Sequence, residues 1–329
     1  MIGIGETMRP GVYVDFQVYP LRQSGQGRPV GIAAPVEGMA DEAPEVVLID
    51  SLGEAEERFG GDSLMTALLT AAMENRGEAV WAAGFPAGNA DRCREAVELL
   101  CRGEAYCVVC GGDGIPPGAA EAAQAQGKLL FAAVPEGQDG AALAASLDCE
   151  RVILTAPGLR SGSGADVSAA VVGALAAGSP GDSLLGREIL GEYQADPLSE
   201  AEIQALMQAG VTVVENGAVG PEVIRGLTTR AGKGYRSIGA MTALDQVVRL
   251  LREALEARFA AGKGRLSLEA VRSQVECELL ARQEEELISG WDPPVVTRAP
   301  EDPGCCLVSV GIRIRQGAAQ IRLLASVGI

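Results

Sequence analysis

The chain has 329 residues, more than one small core needs, so about two domains are expected at this length. Apolar residues make up 47% and charged residues 22%, ordinary usage for a soluble protein, but 44 acidic against 27 basic side chains leave a net charge of −17, which repels nucleic-acid backbones and anionic membrane surfaces. Histidine is absent, and with it go Ser-His-Asp and Cys-His triads, histidine-ligated metals and the commonest general base.

The opening MIGIGETMRPGVYVDF has neither the basic nor the apolar stretch of a signal peptide, and no run of roughly 18 uncharged apolar residues occurs, so synthesis and retention in the cytosol are expected. Residues 1–44 carry Pro10, Pro20, Pro29, Pro35 and Pro44 among many glycines, which predicts an extended N-terminal arm and lead-in segment. Within it Val12, Tyr13, Val14 and Phe16 read as one short strand.

From residue 45 the pattern changes to short apolar runs separated by alanine-rich helical segments. Strands are predicted at 46–50, 79–84, 106–110, 128–134 and 151–155, with helices at 63–76, 90–101, 118–125 and 139–146 between them. Apolar strands alternating with helices imply βαβ crossovers, hence an α/β lobe with a mostly parallel, doubly wound sheet flanked by helices, taken to span 45–195. A helix at 165–177 and a Gly- and Asp-rich connector complete it.

An α+β C-terminal domain is expected over 196–304. Ser199 is placed to cap a helix to about 209, with Glu202 in the capping-box position. A strand at 211–215, a turn at Asn216-Gly217 and a strand at 222–229 read as a hairpin. Leu244, Val247, Val248, Leu251, Leu255 and Phe259 recur at helical spacing in a long amphipathic helix over 242–261, and a second charged helix is predicted at 267–288. Residues 305–329 close the chain as two alternating strands, 306–315 and 320–329, joined at Gln316-Gly317 as a terminal β-hairpin and C-terminal arm.

Candidate chemistry is thin. The eight cysteines read as reduced core residues; Cys107 and Cys110 have CxxC spacing but lie in the apolar run AYCVVC, a buried strand whose alternation sends the two thiols to opposite faces. The loop from Ser161 to Asp166 follows a strand and opens a helix, where backbone N–H groups hold anions, but it lacks both full GxGxxG spacing and a Walker ending. Asp113, in a second glycine loop, is a lone carboxylate, and Glu136, Asp139 and Glu192 are scattered. No catalytic, cofactor-binding or metal-binding residue is assigned.

Two other features carry more. Arg249, Arg252, Arg258, Lys263 and Arg265 form a basic flank on and after the long helix, either solvated and paired with Glu253 and Glu256 or a docking face for an acidic partner. Val308, Val310, Ile312 and Ile314, then Ile321, Leu323, Val327 and Ile329, alternate with polar residues to the last position. Such edges, like Val12–Phe16, either pair within the subunit or serve as templates for another chain's strand.

Several segments together resemble the contractile tail sheath family. The opening Met8-Arg-Pro-Gly-Val-Tyr-Val-Asp-Phe16 looks like that family's N-terminal arm, and residues 46–60, VVLIDSLGEAEERFG, look like its first strand and the segment after it. Residues 198–209, 210–216 and 223–229 resemble its junction with the C-terminal domain, and the helix at 242–259 and closing strands keep the family's order. The resemblance implies a structural subunit, not an enzyme, of a ring-stacked helical polymer that contracts around an inner tube. It implies donated strands at 12–16 and 320–329, a receiving sheet at 307–315, the Arg249, Arg252 and Arg258 side facing the tube, and a subtilisin-like lobe that the lack of histidine makes non-proteolytic. Implied partners are further copies, the inner tail tube protein, and baseplate and tail terminator proteins, without cofactor, nucleic acid or membrane insertion. Assembly is expected in the host bacterial cytoplasm, and the product is a virion tail or a released phage-tail-like particle. The compact length implies no large outer insertion. The competing readings are a cytosolic nucleotide-binding α/β enzyme using the loop at 161–166 and a non-contractile assembly protein with the same lobe.

Overall fold

The computed structural model describes residues 28–112, 114–157, 167–191, 198–217, 220–230, 236–261, 267–300 and 305–315. A nine-stranded sheet is built from β1 (Val30–Val36), β2 (Val46–Ile49), β3 (Val80–Pro86), β4 (Cys107–Cys110), β5 (Leu129–Ala133), β6 (Val152–Ala156), β7 (Arg187–Glu188), β8 (Thr212–Asn216) and β9 (Pro221–Arg225). Their spatial order is β2-β3-β1-β4-β5-β6-β8-β9-β7. Neighbours from β3 through β8 pair in parallel, while β2 pairs antiparallel at one side and β9 and β7 at the other. Among the described residues the path runs from β1 out to β2 and β3, returns past β1 to β4 and winds the other way, which is the doubly wound plan.

The helices of this lobe are α1 (Leu52–Phe59), α2 (Leu64–Arg76), α3 (Ala90–Arg102), α4 (Ala119–Ala125), α5 (Gly140–Leu147), α6 (Val167–Ala177) and α7 (Glu200–Ala209). Ala55, Leu68, Leu69 and most of α6 cover one face of the sheet; Val97, Leu100, Ala123, Ala144 and Leu206 cover the other. Because both faces are buried, the strands are apolar at successive positions rather than alternating. Cap chemistry places the helix starts: Ser63, Asn89, Asp139 and Ser199 each accept a hydrogen bond from a first-turn amide, and Ser199 with Glu202 forms the expected capping box.

A second layer lies beyond the sheet. α8 (Ile238–Ala261) and α9 (Leu268–Glu284) pack along each other and carry β10 (Ile288–Trp291), β11 (Val295–Arg298), β12 (Cys306–Ser309) and β13 (Ile312–Ile314). β10 pairs with β13 and β11 with β12, both antiparallel, and the Asp292 amide donates to the Gly311 carbonyl across the break. The four strands thus form one long two-stranded ribbon, interrupted where Pro293 and Pro294 have no N–H to give. Val247, Leu251 and Leu255 of α8, Val271, Val275 and Leu279 of α9, and Ile288 and Val296 of the ribbon form its core.

The structure departs from the sequence-based expectations in four places. The helix after Ser199 and the hairpin that follows, expected in the C-terminal domain, extend the lobe as α7, β8 and β9, because β8 pairs in parallel with β6. The segment counted with the N-terminal arm contributes β1, hydrogen-bonded to β3 and β4 in the middle of the sheet. The helix expected to reach 288 ends at Glu284, turned by Glu286 at φ +62°, and the chain enters β10 and β11, which were not expected. The strand expected over 306–315 is two strands broken at Val310 and Gly311, each paired with a strand preceding it in the chain; residues 316–329 lie outside the described residues.

Candidate functional site

Doubly wound sheets bind ligands in the crevice beyond the C-terminal ends of the strands where winding reverses, here between β1 and β4. There the loop after β4 packs tightly on its neighbours. A Cβ on Gly111 would collide with Leu68 Cδ1 and lie 3.2 Å from Ala34 Cβ, and Gly112, at φ +101°, lies against the Pro35 ring, with an added Cβ 3.3 Å from Pro35 Cδ. The glycines of this loop therefore permit close packing rather than cradling a phosphate; Asp113 lies outside the described residues.

The remaining polar candidates have structural partners or fall beyond description. Asp139 accepts from the Ala141 and Ala142 amides, at 2.9 and 3.2 Å, as the cap of α5. Glu136 sits in the turn after β5, whereas Glu192 and residues 161–166 lie outside the described residues. Cys107 packs into the core on one face of the sheet and Cys110 into the other, as strand alternation requires. Burial pushes the Cys101 and Cys107 thiols up to about 12, so they are inert as nucleophiles. Among the described residues no cluster of three or more His, Cys, Asp or Glu is placed to hold a metal ion, and no helix is long and apolar enough to cross a membrane.

The basic flank is electrostatically occupied along its own helix. Arg249 Nη2 donates to Gln246 Oε1 at 2.7 Å and Nη1 to Glu253 Oε1 at 3.3 Å; Arg252 Nε donates to Glu256 Oε1 at 2.8 Å. Arg258 is exposed in the last turn of α8, and Lys263 and Arg265 lie outside the described residues.

The ribbon is the more open surface. Val308, Val310, Ile312 and Ile314 turn inward onto the α8–α9 core, and Ile314 also touches Leu244 and Val248. Arg313 and Arg315 point outward, paired with Asp292 at 2.6 Å and Glu286 at 2.7 Å. Val295 and Leu307 are exposed at 57% and 42%, on the face of β11 and β12 opposite the buried Val296. Among the described residues neither pair of ribbon strands has a third partner, so each keeps outward-facing edges. Val12, Tyr13, Val14, Phe16, Ile321, Leu323, Val327 and Ile329 lie outside the described residues.

One constellation escaped the sequence. Arg151, Asp245 and Tyr106 meet in a fully buried charge cluster at the N-terminal ends of β4 and β6. Its signal was Asp245, a carboxylate lying among Met241, Leu244 and Val248 on the apolar stripe of the long helix.

No protein-family model matches the chain, and no curated protein matches it in sequence. Solved structures do match in fold. A chain in the baseplate of the anti-feeding prophage, a six-fold symmetrised assembly, aligns with a TM-score of 0.72 at 16% identity, covering 98% of this chain and 100% of that one. A chain of an extracellular contractile injection system, the PVC sheath complex in the contracted state, aligns at 0.70 and 15% identity, covering 97% and 98%. The sheath tail protein of Desulfitobacterium hafniense aligns at 0.60 and 13% identity, covering 93% and 100%. In fold, and over nearly its whole length, the chain is similar to the sheath proteins of contractile injection systems.

Proposed function

We propose that this chain is a structural subunit of a contractile sheath, polymerising helically around an inner tube and contracting to drive that tube through a target envelope. The observation that carries the reading is the end-to-end likeness in fold, 97% of this chain against 98% of a contracted sheath subunit. Physical features agree. Among the described residues the ribbon offers open strand edges beside the exposed Val295 and Leu307, the loop after β4 packs tightly on Leu68 and Pro35, and the chain has no histidine.

In this reading residues 12–16 and 320–329 are strands donated to neighbouring copies, and the ribbon, including Val308, Val310, Ile312 and Ile314, belongs to the receiving sheet. The α8 flank with Arg249, Arg252 and Arg258 faces the tube, the lobe is a non-proteolytic relative of subtilisin-like folds, and the partners are further copies, the tube protein, and baseplate and terminator proteins. β1, hydrogen-bonded on both sides within the sheet, is not part of that arm. Negative-stain electron microscopy of the purified chain, alone and co-expressed with its tube protein, is expected to show hollow striated cylinders or stacked rings, lost on deleting residues 1–20 or 318–329. A monodisperse monomer in every condition would overturn the sheath reading, and truncated chains that still form cylinders would overturn strand donation.

A further inference from the structure

α8 belongs to both layers of the molecule. Its first turns are buried in the lobe: Ile238 and Met241 join the core under the sheet, and a Cβ on Gly239 would lie 2.8 Å from the Asp182 carbonyl oxygen. The Thr242 hydroxyl accepts from the Gly181 amide at 3.1 Å. From Val247 onward the same helix packs against α9 and the ribbon. Whatever sets the position of α8 on the sheet therefore sets where the ribbon sits relative to the lobe.

Apolar contacts alone define that position poorly, because a stripe of Ile, Met and Val is non-directional and tolerates sliding or rotation. Asp245 stands at the changeover. Its Oδ2 and Oδ1 accept from Arg151 Nη1 and Nη2 at 2.5 and 2.7 Å, and Oδ2 also accepts from the Tyr106 hydroxyl at 2.6 Å. Arg151 and Asp245 are 1% and 3% exposed. Both donors are rooted in the sheet, since the Arg151 carbonyl accepts from the Leu130 amide and the Tyr106 carbonyl from the Leu129 amide, at 2.8 and 2.9 Å. A planar guanidinium gripping a carboxylate with two parallel bonds fixes both translation and rotation of the helix that bears the carboxylate.

We propose that the Arg151–Asp245 fork, with the Tyr106 hydroxyl bonded beside it but not required for it, is a register lock that holds α8, and with it α9 and the ribbon, in one orientation on the α/β lobe. Replacing a buried ion pair with apolar residues of similar volume is often neutral for stability, so the role proposed for this pair is uniqueness of position rather than net stabilisation. In a sheath, the lock would make the ribbon a rigid extension of the lobe; that consequence rests on the sheath reading, but the lock itself does not.

The test is the distance between lobe and second layer in the full-length chain. Spin labels go on the exposed native Cys277 of α9 and on an introduced Glu56→Cys of α1, with Cys305→Ser and Cys306→Ser removing the competing thiols of the ribbon; labelled chains are diluted with unlabelled ones. The parent is expected to give a single narrow distance population. Arg151→Met with Asp245→Leu is expected to melt near the parent temperature yet lose that narrow population, whereas Tyr106→Phe, which keeps the fork, retains it. Asp245→Leu alone leaves a buried unpaired guanidinium and is expected to melt well below the parent. Should the double variant fail to fold, Asp245→Asn, which keeps the shape and loses the charge, is read in the same way. A narrow, unshifted distance in the folded double variant, or in Asp245→Asn, would overturn the proposal and assign the orientation to apolar packing. A wild-type chain that never forms cylinders would sink the sheath reading and leave this outcome untouched.

Discussion

Cys107 is fully buried, and burial raises its thiol from 9.0 to about 12, with nearby Arg28 and Arg76 only partly opposing the shift. The folded state thus holds the neutral thiol, while the unfolded chain ionises normally. A folded value raised above the unfolded one contributes stability that is fully present below about pH 9 and is lost as pH rises towards about 12. Replacing Cys107 with Val should remove this part of the alkaline loss, leaving an unfolding free energy from urea denaturation that falls less between about pH 8 and pH 10.5, by an amount on the order of 2 kcal/mol. Parallel falls in the two proteins would show that the thiol carries none of it. At this scale local chemistry was legible: the placing of Cys107 and Cys110 on opposite faces followed from strand alternation. The Arg151–Asp245 pair was not, because its partners are 94 residues apart and each looks ordinary in its own segment.

Where α6 crosses α2, Gly173 lies so close that an added Cβ would sit 2.5 Å from the Ala72 carbonyl oxygen and 2.8 Å from Asn75 Cβ. Two effects of Gly173→Ala oppose each other. Alanine is favoured over glycine in a helix interior by about 1 kcal/mol, whereas forcing extra volume into a tight contact costs about 1–3 kcal/mol. The obstacle here is a backbone carbonyl of another helix, which cannot swing aside, so the collision wins. Urea denaturation should show the variant destabilised by about 1–2 kcal/mol, and an equal or raised midpoint would mean that the two helices separate freely. Elements with local caps were the legible ones, as at Ser63, Asp139 and Ser199. β1 was hidden by Pro29 and Pro35, and the register explains why proline is tolerated: pairing with β4 ends at Ala33, so Pro35 has a ladder only on the β3 side. β10 and β11 were hidden because the helix before them stops at a left-handed Glu286 rather than at a glycine.

For the whole molecule, period and composition revealed the α/β class because six parallel-paired strands, buried on both faces, leave unbroken apolar runs in the sequence. How the ribbon pairs depends on contacts between distant strands and was not legible from alternation, which specifies a face but not a partner. The net charge of −17 acts at this scale too. If the chain polymerises, each added subunit brings like charge beside like charge. Exposed charges feel one another over about 30 Å at 0.01 M salt but only about 8 Å at 0.15 M, whereas buried apolar contacts and strand pairing are little screened. Raising the salt over that range should therefore increase the fraction of chain that sediments as polymer, as read by ultracentrifugation. The local pairs, such as Arg249 with Glu253 and Arg313 with Asp292, lie within one subunit and do not reverse that sign. A polymer that dissolves as salt rises would instead place complementary charge across the subunit contact, with the exposed Arg258 at the end of α8 as the first residue to replace.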